Sequence, residues 1–149
     1  MSPTQYIYVA TTLDDGGVTT ESQDDWIEYP GRVVGGVLSE ILAALGCKVE
    51  PLQEMGMLGW EFTFHYGGAR FRARAGKIED FMIVIWLRGS LDLFKRKRRA
   101  FDGLIAHLRE AFPTDRRFSN IRWYTQEQME NYEWDYPERD EDEDEVQPA

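Results

Sequence analysis

Residues 59–75, GWEFTFHYGGARFRARA, constrain the fold more than any other stretch of the chain. Apolar and polar residues alternate on both sides of Gly67-Gly68, which is typical of two antiparallel strands joined by a two-residue turn. One face of this hairpin collects aromatic and small residues, which suits a helix packed above them. The opposite face pairs His65 with Arg70, Thr63 with Arg72 and Glu61 with Arg74. Of these pairs, Glu61–Arg74 brings opposite charges together.

The next strand raises the question of what the arginines face. Residues 81–87, FMIVIWL, are apolar at every position, so the strand should be buried on both sides. Its neighbour nevertheless presents arginines on one side. We therefore expect a cover over that side, formed by a segment of this chain, a second subunit or a client protein, or by the arginine stems themselves. The loop 76–80 leaves the register of strand 81–88 open.

Hydrophobic periodicity predicts the remaining elements. A strand covers residues 5–12, and a short helical turn is predicted within 24–29. An amphipathic helix follows Pro30, with Gly46 as its C-terminal cap. A second helix covers about 91–112, and a last strand about 120–125. The order β-α-β-β-β-α-β predicts an α+β fold, an antiparallel sheet with two helices packed on one face.

The charge of the chain is unevenly distributed. The formal net charge is −10, yet residues 69–122 carry 14 basic and 6 acidic side chains. We predict a single domain in residues 1–126 and an acidic, largely disordered C-terminal tail in 127–149. The candidate recognition motif of that tail has aromatic residues at every second position: Tyr132, Trp134 and Tyr136. One hypothesis is that the tail docks on the arginine face and regulates access to it; the alternative is a solvated tail that serves solubility.

The sequence gives little support for a catalytic site, a metal site or a membrane-spanning segment. The single cysteine, Cys47, cannot form an internal disulfide, which fits a reducing compartment, and it is predicted to be a buried, unreactive thiol. His65 and His107 do not have a zinc-binding spacing, and no phosphate-binding or nucleophile motif is present. We predict no catalytic residues, no metal and no cofactor. Without a membrane-length apolar run or a signal-peptide pattern, the expected location is cytoplasmic.

Nucleic acid is a disfavoured partner. Arginines on a sheet with Trp86 and Trp123 nearby would suit phosphate contacts and base stacking. The net charge of −10 argues against this, because the acidic tail would repel a polyanion or compete with it.

Residues 32–112 resemble the α-β-β-β-α core of type III secretion chaperones and of the related YbjN-type sensory-regulator family. The stretches that carry the resemblance are VLSEILAALGCKVE, GWEFTFHYGGARFRARAGKIEDFMIVIWL and FDGLIAHLREAF. Such proteins are small and acidic, often form dimers, and bind partners instead of catalysing reactions.

We therefore predict a non-enzymatic, cytosolic protein-binding module, a regulator or chaperone-like protein, whose partner is another protein or a second copy of itself. Two alternatives stay open: an immunity-type inhibitor of a basic toxin, and a small-molecule-binding protein or enzyme with a pocket between helices and sheet near Trp60, His65 and Tyr66. The predicted partner-binding residues are Arg70, Arg72, Arg74, Trp86, Lys95, Arg96, Lys97, Arg98 and Arg99.

Overall fold

The computed structural model describes residues 3–22, 25–77, 79–88 and 94–131. Their helices and strands confirm the predicted α+β class. In chain order these are β1 (Thr4–Thr11), β2 (Val18–Thr19), β3 (Trp26–Glu28), α1 (Arg32–Ala44), β4 (Lys48–Val49), β5 (Gln53–Glu54), β6 (Trp60–Tyr66), β7 (Ala69–Lys77), β8 (Phe81–Arg88), α2 (Phe94–Ala111), β9 (Phe118–Thr125) and α3 (Gln126–Glu130).

The main sheet has the strand order β4-β6-β7-β8-β1-β9, and β5 pairs with β6 beside β4. All its pairings are antiparallel. The predicted β6–β7 hairpin is confirmed residue by residue, from Trp60 opposite Ala75 to Tyr66 opposite Ala69. Gly67 and Gly68 adopt φ values of 59° and 79°, as a type I′ turn requires at both central positions.

Both long helices pack on the same face of this sheet. α1 contributes Val34, Leu38 and Leu42, and α2 contributes Leu104 and Leu108, all of them buried. They join one hydrophobic core with the strand residues of that face. Because side chains alternate along β7, the arginines of this strand lie on the opposite face.

The register of β8, which the sequence left open, aligns Arg72 with Trp86 and Arg74 with Val84. Strand β8 therefore places its even-numbered residues on the same face as the arginines. Val84 is buried and Trp86 is half-buried there.

The predicted helical turn within residues 24–29 is wrong. Trp26–Glu28 forms strand β3, which pairs with β2 in antiparallel orientation. The backbone N–H of Thr20 donates a hydrogen bond to the carbonyl of Asp25. Backbone groups here thus find their hydrogen-bond partners across the two strands, and not within a helical turn. The strands β4 and β5, two residues each, were not predicted either, since they depend on pairing with β6.

Both ends of α1 are held by specific bonds. At the C-terminus, Gly46 has φ 95°, and the N–H groups of Gly46 and Cys47 donate to the carbonyls of Ala43 and Leu42, which confirms the predicted glycine cap. At the N-terminus, Gly31 has no side chain to cap the helix. Asp15 provides the cap instead: its Oδ2 accepts a hydrogen bond from the N–H of Val34 at 2.7 Å.

We expect Asp15→Ala to lower the free energy of unfolding by about 1–2 kcal/mol, because it leaves a buried helix N–H without an acceptor and removes a carboxylate from the positive end of the helix. Urea unfolding followed by circular dichroism measures this. Asp14→Ala is the matched control, since Asp14 is exposed. Equal effects of the two substitutions would contradict the capping role.

None of the helices among the described residues is long and apolar enough to cross a membrane.

Candidate functional site

The arginine face is the sheet surface opposite α1 and α2, on which Arg70, Arg72 and Arg74 of β7 lie. Along β7, the residues that alternate with these arginines, such as Phe71 and Ala73, are fully buried in the core. The exposure of the arginines differs along the strand: Arg70 is exposed, whereas Arg72 and Arg74 are half-buried. The three arginines therefore do not have one common role.

Arg72 and Arg74 share one buried carboxylate. Glu61 is only 5% exposed. Its Oε1 lies 2.7 Å from Nη1 of Arg72, and its Oε2 lies 3.4 Å from Nη1 of Arg74. The predicted Glu61–Arg74 pair thus forms, but the shorter contact is the diagonal one to Arg72, whose side chain crosses to the neighbouring strand position. Two guanidinium groups on one carboxylate order this part of the face.

Arg70 has no such partner. Across the β7–β8 pairing it lies opposite Arg88, and both side chains are exposed. Among the described residues, neither forms an ion pair. Like charges directly opposite each other on a sheet repel. This end of the arginine face is therefore the place where an anionic group from outside would relieve repulsion.

Trp86 is less available than the sequence indicated. The guanidinium of Arg74 lies 5.5 Å above the centre of its indole ring, a cation–π contact. Val84 lies on the same face of β8 and is only 3% exposed. Within the described residues, the side chain of Arg74 thus covers part of this strand.

The basic run Lys95–Arg99 occupies the first turns of α2, and four of its five side chains are exposed while Lys97 is half-buried. Arg98 binds Asp102 one turn later, at 3.3 Å. Ala100 follows the run and packs against the hairpin turn, because a Cβ added at Gly67 would lie 3.2 Å from the Cβ of Ala100. The basic run therefore lies at the hairpin end of the sheet, where β7 begins and β8 ends.

The candidate tail motif, Tyr132, Trp134 and Tyr136, lies outside the described residues. The last described element, α3, is capped by Thr125, whose side chain accepts from the N–H of Gln128. Glu127 and Glu130 of α3 line a groove of about 900 Å³ together with Arg98 and Arg109 of α2. Both acidic and basic side chains therefore line this groove.

The residues named for an enzyme pocket do not converge. His65 lies on the arginine face, opposite Arg70. Trp60 and Tyr66 lie on the other face; Trp60 donates from Nε1 to the carbonyl of Tyr29 at 3.0 Å, and Tyr66 packs edge-on against His107. Within the described part of the chain, no cluster of histidine, cysteine or acidic residues could hold a metal ion.

Cys47 is buried, in agreement with the prediction, and burial raises the pKa of its thiol to about 11. We expect iodoacetamide to alkylate the folded protein slowly at neutral pH and faster only as the pH approaches that pKa, because the thiolate is the nucleophile. The urea-unfolded chain, in which the thiol titrates near its usual pKa of about 8.5, is the control.

The raised pKa of Cys47 also determines how the free energy of unfolding changes at alkaline pH. Below the unfolded-state pKa the thiol is neutral in both states, and its contribution to stability is complete. As the pH rises from about 8.5 towards 11, only the unfolded chain ionises, so the free energy of unfolding should fall. Cys47→Ala should lose this part of the pH dependence; an unchanged profile would contradict the assignment.

One surface was missed by the sequence analysis. The apolar end is formed by six large apolar side chains that are more than a third exposed, in the β2–β3 hairpin and the turn that follows β5. The letters WIEYP and EMGML, at residues 26–30 and 54–58, contain most of them. Neither stretch has a periodicity that distinguishes exposed from buried side chains, so sequence pattern alone could not find them. The six residues are Val18, Trp26, Ile27, Met55, Met57 and Leu58.

Comparisons of the chain with protein-family models, with curated proteins and with solved structures gave no match.

Proposed function

We propose that this chain is a non-enzymatic protein-binding module of the cytosol, which binds an acidic surface of another protein through the arginine face. The observation that carries the proposal is the pair Arg70 and Arg88, two exposed arginines that oppose each other across β7–β8 without an acidic partner among the described residues. Arginine is well suited to such a contact, because its planar fork donates two parallel hydrogen bonds to a carboxylate.

The arrangement around these two arginines supports the proposal. Glu61 holds Arg72 and Arg74 in place, so part of the surface needs little ordering on binding. Lys95–Arg99 lies at the same end of the sheet and would attract an acidic partner from a distance. Trp86, named from the sequence as the apolar anchor, is half-buried under Arg74 and contributes less apolar area than expected.

A partner different from this chain is favoured over a homodimer through the same face. In a two-fold dimer through this face the same patch meets itself, which would bring the exposed arginines of both copies into one interface. The sequence of residues 32–112 also resembles the chaperone-like family, whose members bind partner proteins. Both points support a regulator or chaperone-like protein that binds a client. An immunity-type inhibitor of a basic toxin would instead use the acidic part of the chain, because the arginine face would repel a basic surface.

The function is tested with Arg88→Glu. We expect this change to stabilise the fold slightly, by up to about 0.5 kcal/mol, because it replaces a repulsive cross-strand pair with an attractive one. Binding of the partner should become weaker, because the substitution reverses a charge on the surface. The free energy of unfolding comes from urea titration, and binding from cross-linking and co-purification out of native lysate followed by mass spectrometry.

The matched control for that experiment is Arg116→Glu, since Arg116 is also exposed but lies just before β9. A protein that the wild type and Arg116→Glu capture and Arg88→Glu loses would support the proposal. Equal capture by all three would contradict it. If only RNA or DNA were captured, the nucleic-acid alternative would replace the protein partner.

A chain ending at Asn131 tests the hypothesis about the acidic tail in the same assay. Residues 132–149 carry nine acidic side chains and one basic one. Stronger capture by the shortened chain would support docking of the tail on the basic surface; weaker capture would indicate that the tail recruits the partner. Identical capture would favour a tail that serves solubility.

A further inference from the structure

Among the residues that the structure describes, the exposed large apolar side chains all lie in the β2–β3 hairpin and in the turn that follows β5. Within the described residues, Met57 is 81% exposed, Ile27 65% and Leu58 57%, and all of them belong to the apolar end. Exposed apolar groups scattered singly are ordinary, whereas a concentrated set is typical of an interaction surface. Tryptophan and methionine, both present here, are enriched in protein interfaces.

Specific contacts join the two segments of the apolar end into one surface. The backbone N–H of Tyr29 donates to Oε2 of Glu54 at 3.2 Å. The rings of Trp26 and Tyr29 lie 5.4 Å apart. Together with Met57 they line a cavity of about 370 Å³, which is open to solvent. The surface therefore has a concave part with aromatic walls, which could receive an apolar side chain.

Two glycines fix the position of this surface. Gly31 and Gly59, with φ values of 120° and 101°, both approach the carbonyl oxygen of Ala75 so closely that a Cβ at either position would overlap it. This close approach attaches both segments of the apolar end to the last residues of β7. The cavity is consequently part of the fold and not a feature of a detached loop.

The charges next to the cavity are positive. Lys77 lines it, and Lys77 also lines a smaller adjoining cavity of about 70 Å³ together with Arg74 and Met57. Among the residues that the structure describes, none of those lining either cavity is acidic. Among the described residues the ammonium of Lys77 has no ion pair, and it lies 5.2 Å from the ring centre of Phe81. A carboxylate beside the inserted side chain would complement this charge.

We propose that the apolar end is the anchor point of the interface, and that it binds a partner segment in which an aromatic side chain is flanked by carboxylates. This inference rests on the proposed function, because Arg74 connects the smaller cavity with the arginine face and one partner would cover both. The aromatic side chain enters the cavity between Trp26 and Met57, and the carboxylates pair with Lys77 and with the arginines beyond it.

The probe for this proposal is a fluorescein-labelled peptide of residues 131–145, NYEWDYPERDEDEDE, added to the full-length protein. In this peptide aromatic residues alternate with acidic ones, as the proposed partner requires. A comparison peptide carries Tyr132→Ser, Trp134→Ser and Tyr136→Ser and keeps the same charge. Fluorescence polarisation measures binding, and amide chemical shifts locate it.

We expect saturable binding of the first peptide and at least fivefold weaker binding of the comparison peptide, since an anchor side chain typically contributes about that much or more. Met57→Ser and Lys77→Glu should each weaken binding about fivefold or more, whereas Arg116→Glu should not. Met57 is so exposed that its substitution does not alter the core. Leu58→Ser is a second variant of the same kind, because Leu58 is also exposed and lines the smaller cavity.

Three results would overturn the proposal that the apolar end anchors the partner. The first is equal binding of both peptides, which would mean that charge alone is recognised. The second is a loss on Lys95→Glu larger than that on Lys77→Glu, with shifts in α2, which would place the peptide on the basic run. The third is the absence of saturable binding up to about 1 mM, both to the full-length protein and to the chain ending at Asn131, in which the tail cannot compete with the peptide.

Failure of the anchor and failure of the proposed function are distinguishable. If partner capture from lysate depends on Arg88 but not on Met57 and Lys77, the arginine face binds the partner and the anchor is wrong. If capture depends on none of the three residues, both proposals are wrong.

Discussion

Glu61→Gln is expected to lower the free energy of unfolding by about 2–4 kcal/mol. The carboxylate is 5% exposed and accepts from both Arg72 and Arg74, at 2.7 and 3.4 Å. Glutamine keeps the shape of the side chain but removes the negative charge, which leaves two neighbouring guanidinium groups without compensation. Since both arginines are about a quarter exposed, water screens part of the repulsion, and the effect should lie below that of a fully buried pair.

The measurement is urea unfolding followed by circular dichroism, with Glu50→Gln as the control, since Glu50 is an exposed carboxylate close to β6. A double-mutant cycle with Arg72→Met isolates the Glu61–Arg72 contact from other effects of the substitution. If Glu61→Gln and Glu50→Gln lower the free energy of unfolding by the same amount, the Glu61 carboxylate does not organise the arginine face. The proposed interface would then have no ordered part.

Gly31→Ala is expected to cost about 2–4 kcal/mol, the second large effect. The φ of 120° is unfavourable for any residue with a Cβ, and the added methyl group would overlap the carbonyl oxygen of Ala75. The strand end of β7 and the start of α1 would have to separate. We therefore also expect the substitution to displace the apolar end and to weaken binding of the aromatic–acidic peptide.

Gly36→Ala is the matched control and should act in the opposite direction. Gly36 lies inside α1, and a Cβ there would meet nothing within 4 Å. Alanine is the better helix former, so this change should stabilise the protein by about 0.5–1 kcal/mol. Thermal unfolding of both variants checks the pair. A destabilising Gly36→Ala, or a neutral Gly31→Ala, would contradict the packing described around these two glycines.

The β6–β7 hairpin shows how much of a structure the pattern of residues in the sequence can predict. Its register, its glycine turn and the common face of Arg70, Arg72 and Arg74 were all predicted, because alternation is a geometric property of a single strand and a two-residue turn leaves only one register. The two amphipathic helices and their packing on the other face were predictable for the same kind of reason. A periodic apolar stripe must be buried against the apolar face that the strands provide.

Contacts between distant segments were not predictable in this way. The cap that Asp15 provides for α1 joins residues 19 positions apart, and Arg88 meets Arg70 only because the loop before β8 sets the strand register. The strands β2 to β5 are too short for a period to be recognised, and their existence depends on pairing.

The sequence by itself thus determined the α+β architecture and the face on which the arginines lie, since local alternation decides both. The tertiary structure alone decided which arginines pair with Glu61, which two oppose each other without an ion pair, and which apolar side chains remain exposed next to Lys77. Exposure and pairing depend on what distant segments bring to a residue, and no pattern within one strand or helix contains that information.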